Sequence, residues 1–118
     1  MLTTITAHQV CAAYDFLSTF SPFSEWKLPP SSEIEFQVVL DPKLLGWHKC
    51  KSNGTHIIAI SERGSGHVTS LLLAVAHEMT HLSQVEHGTA TKAAHNKDFH
   101  DRAKLVSLSL GFDPRQFV

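Results

Sequence analysis

Residues 68–87 read VTSLLLAVAHEMTHLSQVEH, and this stretch decides how the rest of the chain is read. Twenty residues free of Gly and Pro, followed by Gly88, have the composition and stop signal of a long α-helix. At 100° per residue, with His77 at zero, Val85, Leu71, Leu82, Val75, Met79 and Leu72 fall in one arc from roughly 80° to 220°. His77 and His81 lie beside that arc, about 40° apart and one turn along, so both imidazoles can reach one metal ion. Glu78 falls at about 100°, inside the apolar arc, where a carboxylate is costly unless it is paired. His77-Glu78-Met79-Thr80-His81 is an H-E-x-x-H motif, the minimal apparatus of a zinc-dependent hydrolase: two ligands and a general base.

Elements on either side of this helix follow from local patterning. Residues 6–20 predict a first helix, with Ala7, Val10, Cys11, Tyr14 and Leu17 at helical spacing and Ser21-Pro22 as its stop. Residues 21–32 hold three prolines and predict a surface connection. Residues 34–39 alternate as a strand ending at Asp41-Pro42. Residues 44–50 predict a second strand with Gly46 as a bulge, and Ser52-Asn53-Gly54 is a hairpin turn into a third strand at 55–60. A Gly- and Ser-rich loop is expected at 61–66. A loop is expected at 89–94, and a last helix at 97–110, capped by Asn96 and closed by Gly111 and Pro114. The expected fold is α+β, one domain over residues 1–118: an N-terminal helix, a small antiparallel sheet of about three strands, the motif-bearing helix and a C-terminal helix.

Composition narrows the function classes. A net charge of −1 with no block of like charge gives no electrostatic footprint for nucleic acid or an anionic membrane. Cys11 and Cys50, without C-x-x-C spacing, predict reduced thiols, Cys11 buried on its helix. Residues 1–10 lack a basic, apolar signal pattern, and the apolar run at 71–76 is too short to span a bilayer, so a cytoplasmic protein is expected.

A catalytic zinc ion takes three protein ligands and keeps one position open, so a third ligand is sought downstream among Glu86, His87, His95 and His100. His87 completes the H-x3-H-x5-H spacing of metzincins, but Gln84 stands where their helix-breaking Gly belongs. On an unbroken helix His87 sits about 120° from His81 and roughly 9 Å further along the axis. Glu86 faces away from His77, and His100 falls within the last helix. His95 is better placed, at the end of a loop long enough to fold the chain back, with Phe99 one turn later to dock the helix.

His77-Glu78-Met79-Thr80-His81 followed by His95-Asn96-Lys97-Asp98-Phe99 resembles the SprT-like (Spartan-like) zinc metallopeptidase family, whose pattern is H-E-x-x-H, a loop, and H-G-x-x-F opening a helix. Gly46-Trp47-His48 and residues 57–60 resemble its small sheet, so the similarity spans about residues 34 to 112, though only the two motifs are specific. The resemblance implies a minimal zincin-like domain with one Zn2+ per chain. It makes His77, His81 and His95 the ligands and Glu78 the general base, and it implies a protein or peptide substrate. Asn96 replaces the family's Gly, a change compatible with unusual backbone angles. Nucleic acid as a partner enters only through this resemblance. The near-neutral charge and the lack of a zinc ribbon or DNA-binding tail before Val118 argue against a role on DNA-protein crosslinks.

Under the peptidase reading, an edge strand at 55–60 is expected to align the substrate, Asp98 and Asp101 are candidate partners of ligand imidazoles, and Tyr14 is a core residue that could instead reach the site as an oxyanion donor. Two other classes remain open. A metal-dependent RNA-processing hydrolase of the YbeY type would use His77, His81 and His87. A non-catalytic module would use the metal only to staple its fold. His48, His56 and His67 have no spacing to recommend them.

Overall fold

The computed structural model describes residues 5–41, 43–62 and 67–117. Pro42 and most of the loop expected at 61–66 lie outside the described residues. Helix α1 spans Ala7–Ser18, strand β1 Ile34–Val39, β2 Gly46–Cys50, β3 His56–Ser61, helix α2 Val68–His87, α3 Lys97–Leu110 and α4 Pro114–Phe117. The architecture is α+β, as the patterning implies.

Local chemistry sets the helix ends. Thr6 and Gln9 form a reciprocal capping box: the Gln9 amide donates to Thr6 Oγ1 and the Thr6 amide to Gln9 Oε1. Asn96 caps α3 by accepting from the Phe99 amide at 2.8 Å. Gly88 and Gly111 end α2 and α3 in the left-handed region, at φ 74° and 80°, where a Cβ would be strained. The short helix α4 is not anticipated by the sequence pattern, because Pro114 reads there as a terminator. It occupies the first helical position instead, where its missing N–H costs nothing.

The sheet has the order β1-β3-β2, and it is mixed rather than wholly antiparallel. Residues 51–55 close the expected hairpin, with the Lys51 amide donating to the Thr55 carbonyl at 2.8 Å, so β2 and β3 pair antiparallel. The segment between β1 and β2 carries the chain past a vacant position that β3 then fills, parallel to β1. The run Ile57-Ile58-Ala59-Ile60 suits that central place, where β3 is buried along nearly its whole length and both its faces are apolar. Gly46 is paired with Ile60 rather than bulged out. A Cβ there would lie 2.5 Å from the Ala59 carbonyl oxygen, so glycine permits the close approach of β2 to β3.

Helix α2 runs through the middle of the molecule, against the sheet and between α1 and α3. Its buried side is therefore wider than a single apolar arc: Ala76, Thr80, Ser83 and Gln84 are buried along with Val75, Met79 and Leu82. The hydroxyls on that extra face are satisfied locally, Thr80 donating to the Ala76 carbonyl and Ser83 to that of Thr80. Val10, Ala13, Tyr14 and Leu17 form the buried face of α1. Cys11 is only partly buried and Cys50 is exposed, and both are free thiols. Among the described residues, no helix is long and apolar enough to cross a membrane.

Candidate metal centre

Three imidazoles converge on one side of α2. His77, His81 and His95 each offer a ring nitrogen, and these atoms lie within 4.8 Å of one another, close enough to hold a metal ion. His77 Nε2 and His81 Nε2 are 3.3 Å apart, as their one-turn spacing on α2 dictates. His77 Nδ1 lies 2.8 Å from the Phe117 carbonyl oxygen, and a carbonyl only accepts. The His77 proton therefore resides on Nδ1 and Nε2 is left with its lone pair, the tautomer a metal requires.

His95 arrives from outside α2, held by polar contacts around the 89–96 loop. Gln84 Nε2 donates to Asn96 Oδ1 at 2.9 Å and to Asp98 Oδ2 at 3.0 Å, tying α2 to the start of α3. Asn96 Nδ2 donates to the Thr89 carbonyl and to Thr91 Oγ1, while Thr89 Oγ1 donates to Asp98. Arg102 completes the set with bonds to Asp98 and Ser83. The fully buried Phe99 ring supports the ligands directly: it lies 4.4 Å from both the His81 and His95 rings, at interplanar angles of 17° and 5°. Gln84, which stands where a metzincin has glycine, is thus the latch that brings the third imidazole in.

Electrostatics favour neutral rings at His77 and His81. Burial, reinforced by His77, His95 and His48 nearby, pushes His81 down to about 3. Burial also lowers His77, against the opposing pull of the Phe117 carbonyl. Glu78 is 5% exposed, and burial alone pushes its carboxyl up to about 8. No cation or hydrogen-bond donor among the described residues offsets that cost, and a bound cation is the group that would. This donor set fits a metal ion, with Glu78 beside it as the uncompensated acid.

A cleft of about 570 Å³ opens onto the three histidines and Glu78, walled by Leu44, Leu45 and Trp47 on one strand side and by Val85 and Phe117 elsewhere. Gly46 lies over Glu78: a Cβ at Gly46 would come 3.5 Å from Glu78 Oε2. The strand that borders the cleft is β2, an edge strand. The edge role expected for residues 55–60 does not hold, because β3 is central and paired on both sides.

The other candidates go elsewhere. His87 Nε2 bonds the Trp26 carbonyl at 2.9 Å and its Nδ1 accepts from Arg102, outside the cluster. Glu86 bonds His56, and His100 stands beside His95 without joining the group. Asp98 belongs to the Gln84 latch and Asp101 pairs with Lys97, so neither orients a ligand ring. Tyr14 donates to the Pro29 carbonyl in the core, with burial raising its pKa beyond reach. Sequence reasoning missed Phe117, whose main-chain contribution carries no side-chain signal. It also missed His48 on the cleft wall, whose only local cue is its alternation with Trp47 along β2.

Comparison of the sequence with protein-family models gives no match, and comparison with curated proteins gives none.

Proposed function

We propose that the chain is a zinc-dependent metallopeptidase of SprT-like type, with His77, His81 and His95 as ligands and Glu78 as general base. The observation that carries this reading is the pairing of a three-imidazole cluster with an adjacent buried, uncompensated carboxyl group. Three neutral nitrogens are a donor set suited to zinc, and three protein ligands are the usual complement of a catalytic rather than a structural site. When bound, the ion supplies the Lewis acidity that polarises a carbonyl and acidifies water.

The chain's own residues do the rest. Glu78 takes a proton from water at its carboxylate and returns it to the leaving amine nitrogen as the peptide bond breaks. Among the described residues no strand pairs with the outer edge of β2, whose main-chain groups can take up an extended peptide. Leu44, Leu45, Val85 and Phe117 give that peptide apolar surroundings. The RNA-processing alternative needs His87 beside His77 and His81, and the bonds of His87 to Trp26 and Arg102 argue against it.

The test is metal analysis together with cleavage of unstructured protein substrates. One zinc per chain is expected. Glu78→Gln is expected to retain the metal and lose activity by roughly 10²- to 10⁴-fold. Undiminished cleavage by a zinc-loaded Glu78→Gln protein would falsify the mechanism.

A further inference from the structure

Three side chains with no part in the reading above form a hydrogen-bonded string that ends in the cleft. His48 Nε2 lies 2.8 Å from His56 Nδ1, and His56 Nε2 lies 2.7 Å from Glu86 Oε2. The string crosses three elements: β2, β3 and the last turn of α2. His48 and His56 lie on the same face of the hairpin, on adjacent strands and two residues apart in register, His48 pairing with Ile58 and His56 with Cys50. His56 is 2% exposed, so both of its ring nitrogens are committed to these partners. His48 forms part of the cleft wall with Gly46 and Trp47.

Chemistry gives the string a direction. The Glu86 carboxylate only accepts, so His56 donates from Nε2. A neutral imidazole has one N–H, so His56 Nδ1 then accepts from His48 Nε2–H. His48 is left with a lone pair on Nδ1, the one ring nitrogen of this histidine pair that bonds no described residue. Burial, with His56 beside it, holds His48 down at about 4, which keeps that lone pair free near neutrality.

We propose that His48 is a further substrate-binding residue, offering Nδ1 as an acceptor to a main-chain amide N–H of a peptide lying along β2, and that His56 and Glu86 are positioning residues that fix its tautomer. The identity of the donor rests on the peptidase reading; the acceptor itself does not. A neutral acceptor at this point complements an extended chain, whose amides alternate donor and acceptor along the strand direction.

Long-range ¹H–¹⁵N spectra of the ring nitrogens in the zinc-loaded protein read the tautomer directly. Nε2–H is expected on both His48 and His56. A proton on His48 Nδ1, the result of a doubly protonated His56, overturns the proposal. In Glu86→Gln the carboxamide can donate as well as accept, so His48 is expected to become a tautomer mixture, and an unaltered spectrum argues against the relay. For peptide cleavage, His48→Ala is expected to raise KM roughly tenfold, with a smaller change in kcat and with zinc retained. His48→Gln, which keeps an acceptor, should recover part of that loss. An unchanged KM in His48→Ala removes the substrate contact. Cleavage indifferent to Glu78→Gln would instead sink the peptidase reading and the donor with it, while the ring spectra still decide the acceptor.

Discussion

His77 and Phe117 are joined by a single hydrogen bond of 2.8 Å, from an imidazole on the central helix to the main-chain carbonyl of the short C-terminal helix. The Phe117 side chain is itself buried, so packing of the C-terminal segment and orientation of a metal ligand are one event. Groups that orient ligand imidazoles are typically worth 10- to 100-fold in metal affinity. Phe117→Ala is therefore expected to destabilise the fold by about 3 kcal/mol and to weaken zinc binding at least tenfold. Chelator competition on the folded variant checks this, and undiminished affinity would show that packing of the Phe117 ring does not position the carbonyl.

The third ligand separates the rival ligand sets. His95→Ala is expected to lose zinc at concentrations where the parent protein is saturated. His87→Ala should keep one zinc per chain and show only the stability cost of its bonds to Trp26 and Arg102, about 1 kcal/mol. Metal retention by His95→Ala and loss by His87→Ala would reverse the assignment.

Glu78 makes the metal-free protein sensitive to alkali. Its folded pKa of about 8 lies above the ordinary value of 4.5, so the folded state holds a proton that the unfolded state has released. Between those two values stability falls as pH rises, and the loss is complete above about 8. Glu78→Gln removes this dependence. In the metal-free state the variant should melt higher than the parent at pH 8, and the gap should close toward pH 4.5. Comparing the two proteins at each pH cancels the histidine contributions, which act in the opposite sense: His77 and His81 stabilise the fold less as pH falls below the ordinary imidazole range. Parallel melting curves across the whole range would contradict the buried, uncompensated carboxyl.

Gly46→Ala puts a methyl group 2.5 Å from the Ala59 carbonyl oxygen, where backbone must move. A loss of about 1–3 kcal/mol is expected in chemical denaturation. Zinc content should survive, because the ligands lie on other elements.

Asn96→Ala removes the cap of α3 and one of the two acceptors of Gln84 together, leaving Asp98 as the other. The expected cost is about 1–2 kcal/mol. Weaker zinc binding should accompany it, since His95 is the neighbouring residue. Full zinc affinity in a destabilised Asn96→Ala protein would show that the latch does not position the ligand.

What was legible in the sequence was local. The stripe on α2, the glycine after His87, the cap at Asn96 and the convergence of His77 with His81 all follow from spacing within one element. His95 was within reach because Phe99, one turn later, had to enter the core. Strand order was not legible, because the pairing of β1 with β3 joins residues 22 positions apart, such as Ile34 and His56, and no turn signal encodes it. The His48, His56 and Glu86 string was hidden for the same reason: His56 and Glu86 are 30 positions apart and meet only once the hairpin lies on α2. Phe117 was hidden differently, since its carbonyl is common to every residue and only tertiary placement singles it out.

The bond between Gln84 and Asn96 joins two carboxamides, neither of which gains or loses a proton in water's accessible range. Counter-ions that weaken exposed pairs such as Lys97 with Asp101 have little to screen there. The Gln84–Asn96 tie between the neighbour of His95 and the helix that carries its two companions is accordingly expected to hold from dilute buffer to molar salt, so brine that screens Asp98 from Arg102 leaves this one uncharged link of the three-histidine cluster in place.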